Sequence, residues 1–317
     1  MIELTDAGGP ATAVVSPVGA ALRRLEVAGR PLIEPTMHSE PAPGLAGALL
    51  APWPNRVEGG RWWLGPHEQR FTETEPGTGH ALHGLLADRE FAVAARTEGS
   101  VELAANIDPE PGYPFALRVA VAYQLTDRGA DAEITIRNRD AARAPVAVGI
   151  HPYLRLGARD AQGLTIELDA EWAYHLDATE IPRHRFAVDG TAWDLRGGRP
   201  VTEVPRHATF EHGAPANRER VLRADDGDRV TVWADEAFRW TQLYVMDDFA
   251  ADDGRRTAVA VEPMTAPPNA LRTGVGLRWL DADEEWTLRW GIRFEHAAVS
   301  AAVAGAPVES PATARST

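Results

Sequence analysis

FALRVAVAYQLT (115–126), DRG (127–129) and ADAEITIRN (130–138) form the stretch on which the fold reading rests. Phe115, Leu117, Val119, Val121, Tyr123 and Leu125 occupy alternate positions, and the residues between them read Ala, Arg, Ala, Ala, Gln. A period of two puts the large apolar side chains on one face of an extended chain and the small or polar ones on the other. Asp127-Arg128-Gly129 is a turn signal. Beyond it Ala132, Ile134 and Ile136 alternate with Glu133, Thr135 and Arg137, so the pair predicts an antiparallel hairpin with one buried face.

The same pattern recurs outward from this hairpin. Trp286, Leu288, Trp290, Ile292 and Phe294 alternate with Thr, Arg, Gly and Arg, and further strands are expected at 12–16, 20–28, 61–64, 91–96, 100–107, 145–151, 164–169, 229–234, 240–246 and 257–262. Asp-Gly pairs at 189–190, 226–227 and 253–254 separate several of them. Long 3.6-residue periods are missing. The expectation is an all-β protein, a large antiparallel β-sandwich. With no internal repeat and no shift in composition, residues 1–297 read as one domain. Residues 298–317, small and Pro-containing without a period, read as a disordered tail.

Composition narrows the chemistry. The chain of 317 residues is 44% hydrophobic, enough to bury a core, and its net charge of −14 argues against binding a phosphate backbone. No apolar run has the length of a membrane span, and the acidic start MIELTDAGGP does not resemble a signal peptide, so a cytoplasmic location without membrane or nucleic-acid partners is expected. There is no cysteine and no lysine. That excludes disulfides, thiolate metal sites, Schiff bases and P-loop lysine chemistry. The six serines fall in no GxSxG elbow, and no GxGxxG is present. His, Asp, Glu, Tyr and Arg remain, a set suited to proton transfer and sugar recognition without a cofactor.

Two segments share one design. In PVAVGIH (145–151) Val146, Val148 and Ile150 point one way and Ala147, Gly149 and His151 the other. In AVAVE (258–262) Val259 and Val261 oppose Ala258, Ala260 and Glu262. Each ends in a titratable group on a face of tiny side chains, which leaves room beside it, and each is followed by a proline, Pro152 or Pro263, that is expected to end the strand and fix that group's direction. The alternative is a pair of strand ends with a polar residue at the rim.

Four motifs occur in order: Pro52-Trp53-Pro54-Asn55-Arg56-Val57, His80-Ala81-Leu82-His83-Gly84, His151-Pro152-Tyr153-Leu154, and Glu262-Pro263-Met264-Thr265-Ala266-Pro267-Pro268-Asn269-Ala270. Together they resemble the aldose 1-epimerases (galactose mutarotases). The resemblance runs from about 45 to 295 and implies a many-stranded galactose mutarotase-like supersandwich with a cleft for a pyranose. By that resemblance Glu262 is the base that takes the proton of the anomeric hydroxyl, and His151 is the acid that protonates the ring oxygen. His83, Arg56 and the nearby Asn55 hold the sugar. Trp53 is either a cover for an apolar sugar face or a core residue.

The chain also departs from the family. His80 stands where an asparagine is frequent, and imidazole replaces only part of an amide's hydrogen bonding. The segment Arg206–Phe210 has no counterpart of the family's sugar-contacting aspartate, so either no acid takes that role here or another, such as Asp247, supplies it. No metal is expected: the acidic run from Asp247 to Gly254 lacks EF-hand spacing, and His80 and His83 have no third ligand nearby in sequence.

The function these features imply is interconversion of the α and β anomers of a free aldohexose by a monomer or homodimer whose partner is a small-molecule aldose. The competing readings are a non-catalytic or regulatory sugar-binding sandwich, a hexose-6-phosphate mutarotase, and a glycosidase or lyase. Hydrolysis calls for two opposed carboxylates, whereas these segments offer one carboxylate and one histidine.

Overall fold

The computed structural model describes residues 1–213 and 219–296. The expected tail, 298–317, lies outside them. The hairpin of residues 117–138 lies inside a nine-stranded antiparallel sheet. Leu117–Thr126 pairs Gly129–Asn138 from Leu117↔Asn138 to Thr126↔Gly129, leaving Asp127 and Arg128 as the turn. Ser100–Ile107 and Glu285–Glu295 flank the pair, and Ala92–Arg96 and Arg199–Pro200 form the two edges.

The second large sheet carries the motifs. In spatial order it runs Pro182–Ala187, Trp172–Leu176, His207–Glu211, Trp240–Ala251, Gly254–Met264, Gly149–Ile150 and Leu49–Leu50, with Tyr153–Leu154 also pairing Gly254–Met264. The inward faces of the two sheets meet in one hydrophobic core. From the first come Leu117, Val119, Val121, Ile134 and Ile136; from the second come Phe210, Leu243, Val245, Val259 and Val261. Along the central strands every second residue points into this core, and the residues between are left to build the opposite surface.

Beyond strands the sequence reading does not anticipate, such as Trp172–Leu176, Pro182–Ala187 and His207–Glu211, the structure differs from it in three places. Residues 145–151 are not one strand. Ala144–Val146 pairs Arg278–Leu280, the chain then steps across, and Gly149–Ile150 joins the motif sheet between Leu49–Leu50 and Gly254–Met264. Pro263 does not end its strand but lies inside Gly254–Met264, opposite Thr241. The N–H groups of Val261 and Thr265 donate to the carbonyls of Pro152 and Val148. Pro263 falls between them in the same alternation, beside the break in the neighbouring chain, so no donor is missed there. Finally, the strand expected at 240–246 continues to Ala251, with Asp247 and Asp248 at a bulge within it; the turn is Asp252–Asp253 alone.

Ile134 is fully buried between the sheets, whereas Val93 on the edge strand is 49% exposed. Ile134→Ala is therefore expected to cost about 2–5 kcal/mol of unfolding free energy, and Val93→Ala to stay within about 0.5 kcal/mol. Urea unfolding midpoints check this; equal costs would contradict the core assignment.

Candidate active site

The register of the motif sheet assembles the site. Directly opposed residues share a face, and His207, Tyr244, Ala260 and Tyr153 form one row across four strands. Two residues along, Thr209, Gln242 and Glu262 form the next row. Both rows lie on the side away from the core. Within the second, the Thr209 hydroxyl donates to Gln242 Oε1 at 2.6 Å, which fixes the amide beside Glu262. The alanines at 258 and 260 do leave room, but the rings of Tyr153 and Phe249 fill it, packed against Ala42 and Ala46. The cavity opens beyond that infill, at Glu262.

His151 follows Gly149–Ile150 and is tied on both sides. Its N–H donates to the Ala48 carbonyl, its own carbonyl accepts from Gly47 N–H, and the next carbonyl, of Pro152, accepts from Val261. Its ring stacks on Tyr153, centroids 5.3 Å apart, and His151 Nε2 lies 3.4 Å from Glu262 Oε1. His151 Nδ1, Glu262 Oε2 and the Tyr153 hydroxyl are buried with no hydrogen-bond partner among the described residues. Orphaned buried polar atoms are rare in folded proteins, and these three belong to residues that line one cavity.

A second group enters from two short paired segments, Arg56–Val57 and Ala81–Leu82. Asn55 (φ 57°) and His83 (φ 63°), next to each, are both left-handed and lock together. His83 N–H donates to the Asn55 carbonyl at 2.9 Å, and Asn55 N–H donates to His83 Nδ1 at 3.2 Å. Gly84 holds this turn at φ 78°, where an added Cβ would sit 2.2 Å from the Ala51 carbonyl oxygen. Arg56 Nε and Nη2 donate to the two oxygens of Glu75 at 2.8 and 2.5 Å, and Nη2 also meets Glu180.

The cavity bounded by these groups has a volume of about 210 Å³ and takes in Asn55, Arg56, His83, His151, Glu180 and Glu262 in its wall. That is below the roughly 300–1,000 Å³ of sites for drug-sized ligands and matches a single small polar molecule. Burial dominates its electrostatics. It raises the Glu262 carboxyl to about 8, against a smaller opposing pull from Arg56, and it lowers His151 to about 4. Burial, with His151, Arg56 and His207 nearby, also holds His83 neutral well below the usual histidine range. The cavity thus stores one proton on the Glu262–His151 pair near neutral pH.

Ligating atoms of His83, His151 and Glu262 lie within 4.8 Å of one another, close enough to raise the question of a metal. The His83 tautomer argues against it. Because Nδ1 accepts from Asn55 N–H, the proton of the neutral ring sits on Nε2, which then has no lone pair to offer an ion.

Three of the expected sugar-binding residues lie elsewhere. Trp53 is buried in the main core with its ring 4.2 Å from Phe71. His80 stands behind the cavity wall, its Nδ1 accepting from Gly59 N–H at 3.0 Å. Asp247 is largely exposed and paired with Arg206. Conversely, Glu180, His207, Tyr153 and Tyr244 line the cavity. Tyr153 lies inside the motif that begins at His151, and His207 inside Arg206–Phe210, but the sequence reading expects none of the four there as a site residue.

A double antiparallel sheet with a small acid–base cavity on its outer surface defines the mutarotase-like class, and comparison with known proteins agrees. The sequence profile described as aldose 1-epimerase matches residues 1–293, and the chain belongs to this family. It is 30% identical over 287 residues to YihR of Escherichia coli strain K12, described as an uncharacterized protein, covering 90% of this chain and 91% of that one. Among solved structures it is similar to the GalM/aldose epimerase homologue from C. elegans, with a TM-score of 0.80, 18% identity and coverage of 93% and 98% of the two chains. It is also similar to galactose 1-epimerase from Lactobacillus acidophilus NCFM, with a TM-score of 0.74, 17% identity and coverage of 92% and 93%. At these identities the structural likeness carries the fold alone. No helix among the described residues is long and apolar enough to cross a membrane.

A carboxyl raised from 4.5 to about 8 binds its proton more tightly in the folded state than in the unfolded one. Across that window stability therefore falls as pH rises. Glu262→Gln removes this slope. The variant is expected to gain about 1–3 kcal/mol over the parent at pH 8, the scale of a buried group relieved of unpartnered charge, and less at pH 5. Chemical denaturation at the two pH values reads the difference; a gain that is equal at both, or absent, would contradict the burial argument.

Proposed function

We propose that this chain is a mutarotase that interconverts the α and β anomers of a free aldohexose, with Glu262 and His151 exchanging the protons. The observation that carries this reading is the buried pair itself: a carboxyl and an imidazole 3.4 Å apart, facing a cavity of monosaccharide size.

Ring opening removes a proton from the C1 hydroxyl, breaks the C1–O5 bond to leave a C1 carbonyl, and adds a proton to O5. Rotation about C1–C2 and the reverse transfers close the other anomer. A pair holding one proton is complete for this reaction, since one member gives while the other takes and the total is conserved. If Glu262 is the base and His151 the acid, the shared proton first passes from Glu262, where burial holds it in the free protein, to His151, and opening then returns the pair to protonated Glu262 and neutral His151. That is the distribution burial favours, so desolvation works in the direction of the transfer. Neutral His83, with Nε2–H toward the cavity, supplies a donor to a sugar oxygen without adding charge. A sugar-binding protein without catalysis would need Arg56, His83 and Asn55, but not a carboxyl and imidazole desolvated together.

NMR exchange spectroscopy on purified anomer mixtures measures the reaction directly. Glu262→Gln and His151→Asn should each lower kcat by about 10²–10⁴-fold, the usual contribution of a positioned acid or base. The double variant should be only slightly worse than either, because the two act as a unit. The rate should be bell-shaped in pH, falling below about 4 as His151 takes a second proton and above about 8 as Glu262 loses the shared one. Retention of more than about a tenth of kcat by Glu262→Gln, outside the general-base range, would overturn the assignment.

A further inference from the structure

The segment Arg206–Phe210, where the family resemblance implies a sugar-contacting aspartate, carries none. The structure puts a different acid on the cavity wall. Glu180 sits in the turn between Trp172–Leu176 and Pro182–Ala187, about thirty residues earlier in the chain, at φ 64°. The turn is clasped by Asp177, whose Oδ1 accepts from Thr179 N–H and Ile181 N–H at 2.8 and 3.1 Å, and it is anchored by fully buried Ile181. Glu180 is thereby carried over the sheet to meet Arg56 from one side and His207 from the other. His207 Nδ1 lies 2.7 Å from Glu180 Oε1, near but out of hydrogen-bond alignment. Burial opposes ionisation of Glu180, but His207 and Arg56 outweigh it, so the carboxyl stays ionised.

The charge balance of the wall follows. Among the described lining residues Arg56 is the permanent cation, and it is already matched twice, by Glu75 and by Glu180. A hydroxyl entering here meets a carboxylate with lone pairs to spare. A carboxylate or phosphate entering here meets a like charge, with the guanidinium already committed.

We propose that Glu180 is a specificity-determining residue that accepts hydrogen bonds from sugar hydroxyls away from the anomeric carbon and turns away aldoses bearing an anionic group. The inference rests on the aldose reading of the cavity and adds the substrate class to it: neutral sugars, not sugar acids or phosphates. It also assigns a role that position-by-position comparison of motifs misses, since the acid comes from another turn.

Binding tests it independently of turnover. Calorimetric titration of D-glucose, D-galactose, D-glucuronate and D-glucose 6-phosphate is run on the parent and on Glu180→Gln, with Glu180→Asn as a second neutral variant suited to the left-handed φ and Glu180→Asp as the charge-keeping control. The parent should favour a neutral sugar over both anions by about tenfold or more, the scale of a like-charge contact in a half-buried site. The neutral variants should bind the neutral sugars several-fold more weakly and lose most of that preference, while Glu180→Asp retains it. An unchanged preference in Gln and Asn, equal affinity of the parent for an anionic sugar, or no binding of either neutral sugar would overturn the proposal. Anomer exchange by the parent separates the two claims. Binding in the expected order without exchange sinks the mutarotase reading alone, and exchange with an unchanged preference sinks the role of Glu180 alone.

Discussion

The outer face of the motif sheet and the segments that wall the cavity serve one contact, that between Glu262 and His151. Neither group would be stable there as an isolated charge, because both are almost fully withdrawn from water. Together they hold a single proton and stay neutral as a unit. The protein sustains this by rigidity on both sides. Glu262 sits within a long strand, next to a hydrogen-bonded Gln242–Thr209 pair, and His151 is tied through its own backbone and that of Pro152. The sandwich core behind them supplies that rigidity, since Val259 and Val261 on the opposite face are locked between the sheets.

Much of this is legible in the sequence because it follows from a period of two. The alternation in 115–138 and 286–294 reports a half-buried sheet directly, and the alternation in 258–262 correctly separates the core valines from the face that carries Glu262. The same arithmetic fails at 145–151. Each residue there points as an unbroken strand would point it, yet the chain switches partners between Val146 and Gly149, and side-chain period carries no information about partner changes. Pro263 misleads for a related reason. A proline ends a strand only where its nitrogen faces a carbonyl in need of a donor, and that depends on the neighbouring chain.

The cavity wall is harder to read than its floor. Trp53 and His80 look like sugar-binding residues because they sit within the motifs, and Asp247 because it could replace the missing aspartate, but residues close in sequence on a strand or tight turn point in different directions. Trp53 goes to the core, His80 behind the wall, and Asp247 to solvent. Tyr244 lies on an expected strand, 240–246, but Glu180 comes from the turn between WAYHL (172–176) and PRHRFA (182–187) and His207 from HATFE (207–211), segments whose pattern does not announce a strand. Only cross-strand register brings His207 opposite Tyr244, and only the turn after Asp177 brings Glu180 over them. A signal does exist: an acidic residue at a forced left-handed position in a short polar turn. It is readable once the turn is known.

Burial should keep the free protein in the form of a protonated Glu262 beside a neutral His151 through the neutral pH range. The most direct test combines ¹⁵N NMR of the His151 ring with the infrared carbonyl stretch of protonated Glu262, assigned by difference against Glu262→Gln, at pH 6. The expected result is a neutral imidazole and a protonated-carboxyl band that disappears only as pH passes about 8. An imidazolium signal with an ionised carboxylate at pH 6 would contradict it.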